Sequence, residues 1–241
     1  MRVFVTGATG FIGSVVVNEL LKTGHQVLGL TRSDAGAKSL ATAGAEVHRG
    51  SLEDLESLRS GAAAAEGVIH LAFKHDAFNS DFSKFVANCE TDRQAIEAIG
   101  SVLAGSDRPF VVTSGTGLAN TVPGQPARED NPIINSSVIP RAASEEAAAS
   151  VAVRGVNVSV VRLPQVHDQV RQGLITYAVA LAREKGVSPY VGDGLNRWPT
   201  AHVLDTAHLY RLALEKQEPS TTRSLKKECR SAISRKSLAG G

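Results

Sequence analysis

The chain opens on a short run of apolar residues, Val3 to Val5, which is typical of a strand buried on both faces of a sheet. Five further strand-like runs follow, with the sequences QVLGLT, GAEVHRG, GVIHLAF, RPFVVTSGT and NVSVVRLP. Segments with apolar residues at helical spacing lie between most of these runs. Strands that alternate with helices in this way predict an α/β fold built on a doubly wound parallel sheet.

Four segments carry the helical spacing. The first begins after Gly13 and ends at Gly24, with an apolar face made of Val15, Val16, Leu20 and Leu21. The second is SLEDLESLRSGAAAA, in which Ser51 and Asp54 resemble a capping box. The other two helices are predicted from Phe82 to Leu103 and from Pro140 to Arg154.

Glycine recurs at the point where the first strand becomes a helix. Gly7, Gly10 and Gly13 form a G-x-x-G-x-x-G turn. Glycines let the backbone turn tightly and approach a pyrophosphate, which the free N–H groups and the dipole of the helix N-terminus then hold. A glycine-rich turn without a ligand is the alternative, but its place directly after the first strand favours a dinucleotide site.

The end of the second strand predicts which dinucleotide binds. Sites selective for NAD place an acidic residue there for the ribose 2′-hydroxyl, whereas this chain has Thr31 and Arg32. A guanidinium suits a 2′-phosphate, so the sequence favours NADP, with NAD as the alternative. Asp34 lies close enough to weaken this argument, and Arg32 as a solvated loop charge is the other interpretation.

Composition adds little to this picture and excludes several classes of protein. The 241 residues are 42% hydrophobic and 21% charged, and their net charge of +2 does not indicate a nucleic-acid or membrane partner. Cys89 and Cys229 stand far apart, so neither a disulfide framework nor a metal site is predicted. Because the chain carries neither a signal sequence nor an apolar run long enough for a membrane span, we expect a soluble cytoplasmic protein.

The motifs TGATGFIG, VIHLAF, FVVTSGT and VVRLP resemble, in order and spacing, the NAD(P)-dependent epimerase/dehydratase family of extended and atypical short-chain dehydrogenases. The resemblance extends from Arg2 to about Lys216. It implies a Rossmann domain over 1–165 and a small, incomplete substrate-side lobe over 166–216. Residues 217–241 depart from the family.

The resemblance also implies a set of cofactor-binding residues. The pyrophosphate would lie on the glycine loop, the adenosine at the ends of the second and third strands, and the nicotinamide beside the fourth and sixth strands. In chain order these residues are Gly7, Thr9, Gly10, Phe11, Ile12, Gly13, Arg32, Ser33, Ser51, Leu52, Leu71, Ala72, Phe73, Asn88, Ser114, Pro164 and Val166.

The catalytic pair of that family is missing. Its members use a Tyr with a Lys four residues later, and none of Tyr177, Tyr190 and Tyr210 has a Lys at that spacing. Arg141 and Glu145 stand in the matching helix. Arginine stays charged and cannot shuttle a proton, and Glu145 could do so only if burial favoured its neutral form. The alternative for the two residues is an ion pair on the helix surface.

Other polar groups lie where open α/β sheets bind ligands, at the carboxyl ends of the strands. Ser114 and Thr116 end the fifth strand and are candidate catalytic residues, although Ser114 could instead satisfy loop backbone. His75, after the fourth strand, is a weaker candidate, since a solvent-facing His is the alternative. The segment 117–139 is long enough to form a lid.

The lobe sequence offers a further substrate contact. Asn196, Arg197 and Trp198 follow a glycine turn and could close over a polar substrate, although Trp198 could equally be a packed aromatic. Asp205 is predicted to cap the next helix, whose apolar face would be Ala207, Leu209, Leu212 and Ala213.

Two functions are consistent with this sequence. The first is an NADP-dependent oxidoreductase acting on a small carbonyl, alcohol or sugar-like substrate without the usual Tyr and Lys. The second is a dinucleotide-binding sensor or regulatory protein that has lost catalysis.

The final residues, from Ser220, are rich in Lys and Arg and lack an apolar stripe. A neighbouring reading frame can encode YHAVAEEGVPLRDIAEVIGG, which carries strand, turn and helix signals. We therefore interpret the tail as the product of a frameshift near Ser220 that leaves a disordered basic end. The surface exposed by this loss could favour homo-oligomers. A functional basic tail is the alternative.

Overall fold

The computed structural model describes residues 1–75, 82–119, 125–190, 192–195 and 197–216. Asn196 and the tail 217–241 lie outside the described residues, so the interpretation of the tail as a frameshift product stays a prediction.

Six parallel strands form one sheet in the order β3-β2-β1-β4-β5-β6. The change of direction on either side of β1 makes the sheet doubly wound, which confirms the predicted fold class. The strands are β1 (Arg2–Thr6), β2 (Gln26–Thr31), β3 (Glu46–Arg49), β4 (Gly67–His70), β5 (Phe110–Gly115) and β6 (Val158–Leu163). A separate parallel pair consists of β7 (Gln165–His167) and β8 (Thr200–His202).

Seven α-helices are present among the described residues. They are α1 (Phe11–Lys22), α2 (Asp34–Ala43), α3 (Leu55–Ala63), α4 (Phe85–Leu103), α5 (Ala143–Val153), α6 (Ile175–Lys185) and α7 (Val203–Glu215). Short 3-10 turns precede α4 and α5, so the helices predicted from Phe82 and from Pro140 begin where the sequence pattern placed them.

The core has two layers because successive side chains of a strand point to opposite faces of the sheet. Phe4 packs in a cluster that contains Leu58, Ile96 and Phe110, whereas its neighbours Val3 and Val5 belong to the opposite cluster. Val3, Phe4 and Val5 are all fully buried, as the apolar run predicted. Helices therefore cover both faces of the sheet, and the carboxyl ends of its parallel strands lie along one edge.

Helices α2 and α6 and the β7–β8 pair were not predicted. Helix α2 buries only Gly36 and Leu40, so its sequence carries little apolar periodicity. It is stabilised at its start by Ser33, whose side chain accepts a hydrogen bond from Gly36 N at 3.1 Å. The β7–β8 pair is only three residues long on each side, too short for an alternating pattern to be recognised.

The predicted cap of α7 is wrong. His202 occupies the N-cap and accepts a hydrogen bond from Leu204 N at 3.2 Å, while Asp205 lies within the first turn. There Asp205 still interacts favourably with the helix dipole. The buried face also differs, because the fully buried residues include Tyr210 and Leu214, whereas Leu209 and Leu212 are partly exposed.

Helix α6 has no buried residue, and its apolar side chains include exposed Leu181. No helix within the described ranges is long and apolar enough to cross a membrane. In the same part of the chain, no three His, Cys, Asp or Glu side chains cluster as a metal site would require.

Candidate functional site

A cleft of about 2910 Å³ opens at the carboxyl ends of the parallel strands. Its walls come from the loops that follow β1 to β6 and from the turns around β7 and β8. This is the edge at which open α/β sheets bind ligands, next to the position where the strand order reverses.

The glycine loop forms one wall of this cleft and fits a pyrophosphate. Gly7 has φ +67°, and a Cβ there would lie 2.8 Å from the backbone N of Ala72. A Cβ on Gly13 would overlap the carbonyl of Gly7. Gly10 is the N-cap of α1 and supplies no side-chain cap, and the first turn of the helix contains no acidic residue. The loop therefore presents backbone N–H groups and the positive end of a dipole to the cleft.

The Arg32 side chain, just after β2, is a cation that a ligand could pair with. Arg32 lines the cleft and has no hydrogen bond or ion pair with any residue that the structure describes. Asp34, which weakened the prediction of NADP, points elsewhere: its Oδ1 accepts a hydrogen bond from Arg49 Nη2 at 2.5 Å. The nearest carboxylate in the sequence is thus paired with a different arginine at the protein surface, and the guanidinium of Arg32 stays unpaired among the described residues.

The segment after β4 is held by a hydroxyl from β1. Leu71 N and Ala72 N both donate to Thr6 Oγ1 at 3.2 Å. Since Oγ1 accepts two hydrogen bonds, its own hydrogen is free to donate to His70 Nδ1, which lies 2.9 Å away. These hydrogen bonds anchor the segment that leads to Phe73, which lines the same cleft as Pro164 and Val166.

The chain of hydrogen bonds continues into the core. His70 Nε2 lies 3.0 Å from Asp92 Oδ1, and both side chains are 1% exposed. The other carboxylate oxygen accepts hydrogen bonds from Ser144 Oγ and from Arg141 Nη1, the latter at 3.0 Å. Burial alone would raise the pKa of Asp92, but Arg141, His70 and Ser144 together hold it below its ordinary value.

Arg141 connects this buried network to the cleft. Its guanidinium carbon lies 4.3 Å from the centre of the Phe73 ring, and its Nη2 donates to the carbonyl of Thr113 at 3.1 Å. The side chain is 19% exposed and lines the cleft. A guanidinium stacked on a ring in this way is held in one plane.

Glu145 forms a second buried group. Arg162 binds it through two parallel hydrogen bonds, from Nε at 2.9 Å and from Nη2 at 2.8 Å, and Ser114 Oγ donates to it at 2.5 Å. The interpretation of Arg141 and Glu145 as a surface ion pair is therefore wrong. Each side chain faces the protein and pairs with a residue from another element, because the 3-10 turn that holds Arg141 packs against α4 and α5 packs against β5 and β6.

The tyrosines do not replace the missing pair. Tyr210 is fully buried, its hydroxyl lies 2.7 Å from Thr113 Oγ1, and burial raises its pKa far above the ordinary range. Tyr190 is 74% exposed. Tyr177 lines the cleft from α6, but Leu181 occupies the position where the lysine would stand.

Most of the residues predicted to bind cofactor line the one cleft. Asn88 is the exception: it is buried and donates through Nδ2 to the carbonyl of Lys74 at 3.2 Å, behind the wall. Thr116 and His75 line the cleft, whereas Glu145 does not. These placements leave the individual binding and catalytic roles as predictions.

Several residues of the site were missed by sequence reasoning. Three of them could have been recognised, because each is a polar residue within an otherwise apolar, buried pattern: Thr6, Asp92 and Arg162. Arg171 gave no such signal. It lies in the turn before α6, with its guanidinium carbon 5.6 Å from the centre of the Phe11 ring beside the glycine loop.

Comparison with known proteins places the chain among close relatives. The NAD dependent epimerase/dehydratase family matches over residues 3–224. The uncharacterized protein C2A9.02 of Schizosaccharomyces pombe is 43% identical over 218 residues, which cover 90% of this chain and 72% of that protein. The uncharacterized protein YLL056C of Saccharomyces cerevisiae is 46% identical over 220 residues, which cover 90% of this chain and 71% of that protein.

Solved structures agree with the fold. The dTDP-glucose 4,6-dehydratase DesIV of Streptomyces venezuelae, solved with NAD bound, superposes with a TM-score of 0.72 at 21% identity, covering 91% of this chain and 74% of that one. A UDP-glucose 4-epimerase of Thermotoga maritima superposes with a TM-score of 0.68 at 23% identity, covering 89% of this chain and 74% of that one. At these identities the likeness concerns the fold alone.

Proposed function

Because the chain belongs to the NAD dependent epimerase/dehydratase family, we propose that it is an NADP-dependent oxidoreductase acting on a small carbonyl compound, alcohol or sugar-like substrate. The observation that carries the cofactor choice is Arg32, a charged side chain in the cleft with no partner among the described residues. Asp34, which could have opposed it, is paired with Arg49. A free guanidinium at this point suits a 2′-phosphate.

The family relationship supports a nicotinamide cofactor, and the walls of the cleft fit one. The glycine loop would hold the pyrophosphate, Ser33, Ser51 and Leu52 would line the adenosine side, and Phe73 and Pro164 the nicotinamide side. The bound cofactor would supply or accept hydride. The chain itself would position the substrate beside the reacting atom of the cofactor.

Proton transfer in this protein would not use a tyrosine. Ser114 lines the cleft, but its hydrogen is directed to Glu145, so it would orient a substrate as a hydrogen-bond acceptor rather than donate a proton. We therefore propose that water reaching the cleft supplies the proton that completes the alcohol. The reaction consumes one carbonyl group, one NADPH and one proton, and yields one alcohol and one NADP⁺.

The test is an assay of the purified protein with NADPH and NADH against a panel of aldehydes, ketones and keto sugars. Oxidation of NADPH that depends on a carbonyl compound, with the alcohol found as product, supports the proposal. Tight NADPH binding without turnover of any panel member counts against an enzyme.

A non-catalytic sensor is the second candidate, favoured by the buried state of Tyr210 and the absence of a Tyr with a Lys four residues later. Such a protein would bind NADP⁺ and NADPH with similar affinity and would change its affinity for a partner on binding. Calorimetric titration with both forms of the cofactor, beside the turnover assay, separates the two candidates.

A further inference from the structure

We propose that Arg141 binds the substrate oxygen on which negative charge develops, and that Asp92, Ser144 and the Phe73 ring hold its guanidinium in place for this role. The inference rests on the proposed oxidoreductase function. The substrate would be a compound whose carbonyl oxygen can approach the guanidinium of Arg141. Arg141 would then be the group that polarises this carbonyl.

The unused donors of Arg141 are the first observation. A guanidinium has five N–H groups. In the described part of the chain, Nη1 donates to Asp92 Oδ2 and Ser144 Oγ, and Nη2 donates once, to the carbonyl of Thr113. The Nε hydrogen and one Nη2 hydrogen are therefore left over. Since the side chain lines the cleft, an oxygen atom of a bound molecule is the natural acceptor.

The electrostatic setting of Arg141 is the second observation. Its counter-ion, Asp92, also accepts hydrogen bonds from His70 and Ser144, so its negative charge is shared among three donors. The guanidinium is thus only partly neutralised. A positive charge that is fixed before the reaction stabilises a developing oxyanion more effectively than solvent does, because it does not have to reorient.

The position of Arg141 is the third observation. One face of the guanidinium lies on Phe73, whose neighbours Leu71 and Ala72 are fixed by Thr6. The carbonyl of Thr113 holds it at the end of β5, next to Ser114. Arg162 also lines this part of the wall, but its Nε and Nη2 both donate to Glu145. Its guanidinium is therefore less accessible to a bound molecule than that of Arg141.

The charge that forms during reduction suits an arginine at this position. When hydride reaches the carbonyl carbon, the carbon–oxygen double bond becomes a single bond and the oxygen becomes an alkoxide. Arg141 would stabilise that charge while keeping its own proton, because arginine does not deprotonate in proteins. Water then protonates the alkoxide. Asp92, Ser144 and His70 are positioning residues that act only through Arg141.

A purely structural role for Arg141 is the competing explanation, since it also joins α5 to α4 and β5. Removing it alone would leave the charge of Asp92 buried without its main partner and could unfold the protein. The charge-balanced variant Asp92→Asn with Arg141→Gln avoids this. Arg141→Lys is the second variant, which keeps the charge beside Asp92 but loses the fork of donors. Arg128→Gln, at an exposed position on the wall of the same cleft, is the matched control for lost charge.

The experiment measures binding of acetate, whose oxygens mimic an oxyanion, by calorimetry with and without saturating NADP⁺. We expect the unmodified protein and Arg128→Gln to bind acetate alike. The double variant and Arg141→Lys should bind it at least about tenfold more weakly, the loss expected for a charge-assisted hydrogen bond. Their affinity for NADP⁺ should stay within about twofold of the unmodified protein, which also shows that they are folded.

Turnover gives the second measurement. With any active carbonyl compound, the double variant should lose on the order of a hundredfold in kcat, as when one donor to an oxyanion is removed. Acetate binding that is absent in the unmodified protein, or equal in all variants, overturns the inference, as does unchanged turnover. If acetate binding depends on Arg141 but no carbonyl compound is reduced, the anion site stands and the proposed function fails.

Discussion

The hydroxyl of Thr6 lies 2.9 Å from the ring nitrogen Nδ1 of His70 and joins the ends of two neighbouring strands. Both side chains are buried. The same Thr6 oxygen accepts the backbone N–H groups of Leu71 and Ala72, so one hydroxyl connects the cleft wall to the buried His70–Asp92 pair. The site therefore depends on a residue that itself lies outside the cleft lining.

Replacement of Thr6 by valine tests this connection. Valine has nearly the same shape but no hydroxyl, so Ala72 N and His70 Nδ1 would lose their partner. Leu71 N would keep only its hydrogen bond of 3.4 Å to the backbone carbonyl of residue 6. We expect the free energy of unfolding to fall by about 2–4 kcal/mol, since each unsatisfied buried group costs about 1–3 kcal/mol and part of the loss relaxes. Urea denaturation measures this change. Thr6→Ser, which keeps the hydroxyl, should recover most of it, and equal losses in both variants would contradict the role of the oxygen.

Replacement of Arg32 by alanine tests the choice of cofactor. The variant should lose affinity for NADPH by about 1.5–3 kcal/mol, as expected for a charge-assisted contact, with little change for NADH. Calorimetry with both cofactors makes the comparison. Arg154→Ala, which removes the same charge at the end of α5, should change neither affinity. An equal loss for NADPH and NADH would remove the assignment of Arg32 to the 2′-phosphate.

Replacement of Gly13 by alanine tests the glycine loop. The new Cβ would overlap the carbonyl of Gly7, so the loop must shift away from the geometry that fits a pyrophosphate. We expect NADPH binding to fall below detection in a calorimetric titration and the free energy of unfolding to drop by about 1–3 kcal/mol from overpacking. Gly117→Ala is the matched control, because a Cβ there meets no atom within 4 Å. Retained NADPH affinity in Gly13→Ala would place the pyrophosphate elsewhere.

The contact between α1 and α7 predicts a dependence of stability on pH. Hydrogen bonds from Arg211 and His208 hold the pKa of Glu19 below its ordinary value of 4.5, despite some desolvation. A carboxyl group with a lowered pKa in the folded state contributes stability that is present above its unfolded value. That contribution is lost as the pH falls through the lower folded value.

Urea midpoints measured from pH 7 down to pH 3 check this dependence. The unmodified protein should lose stability below about pH 4.5, and Glu19→Gln should show a shallower decline because it has no proton to gain there. Glu56→Gln, in an exposed pair with Arg59, serves as the control and should follow the unmodified protein. Parallel curves for all three proteins would contradict a role of Glu19 in the pH dependence.

Sequence reasoning was most successful where the determining contacts are local. The alternation of Val3, Phe4 and Val5 between two core layers follows from the geometry of a strand, so an apolar run was enough to predict it. The glycine turn was recognisable for the same reason, since Gly7 and Gly13 approach each other within one strand-to-helix connection. Helix α2 was missed because only two of its ten residues are buried.

The doubly wound sheet, the glycine loop and the absence of a Tyr with a Lys four residues later could all be predicted from the chain, because each follows from local sequence patterns. The partners of the charged groups, in contrast, depend on how distant elements pack. Their four-residue spacing suggested that Arg141 and Glu145 pair with each other on one helix, but Arg141 lies in the 3-10 turn before α5. The fold brings Arg141 to Asp92, which is 49 residues away, and Glu145 to Arg162, which is 17 residues away. Desolvation is the physical reason: a charge carried into the protein interior must meet its counter-ion there, and packing decides which one is within reach.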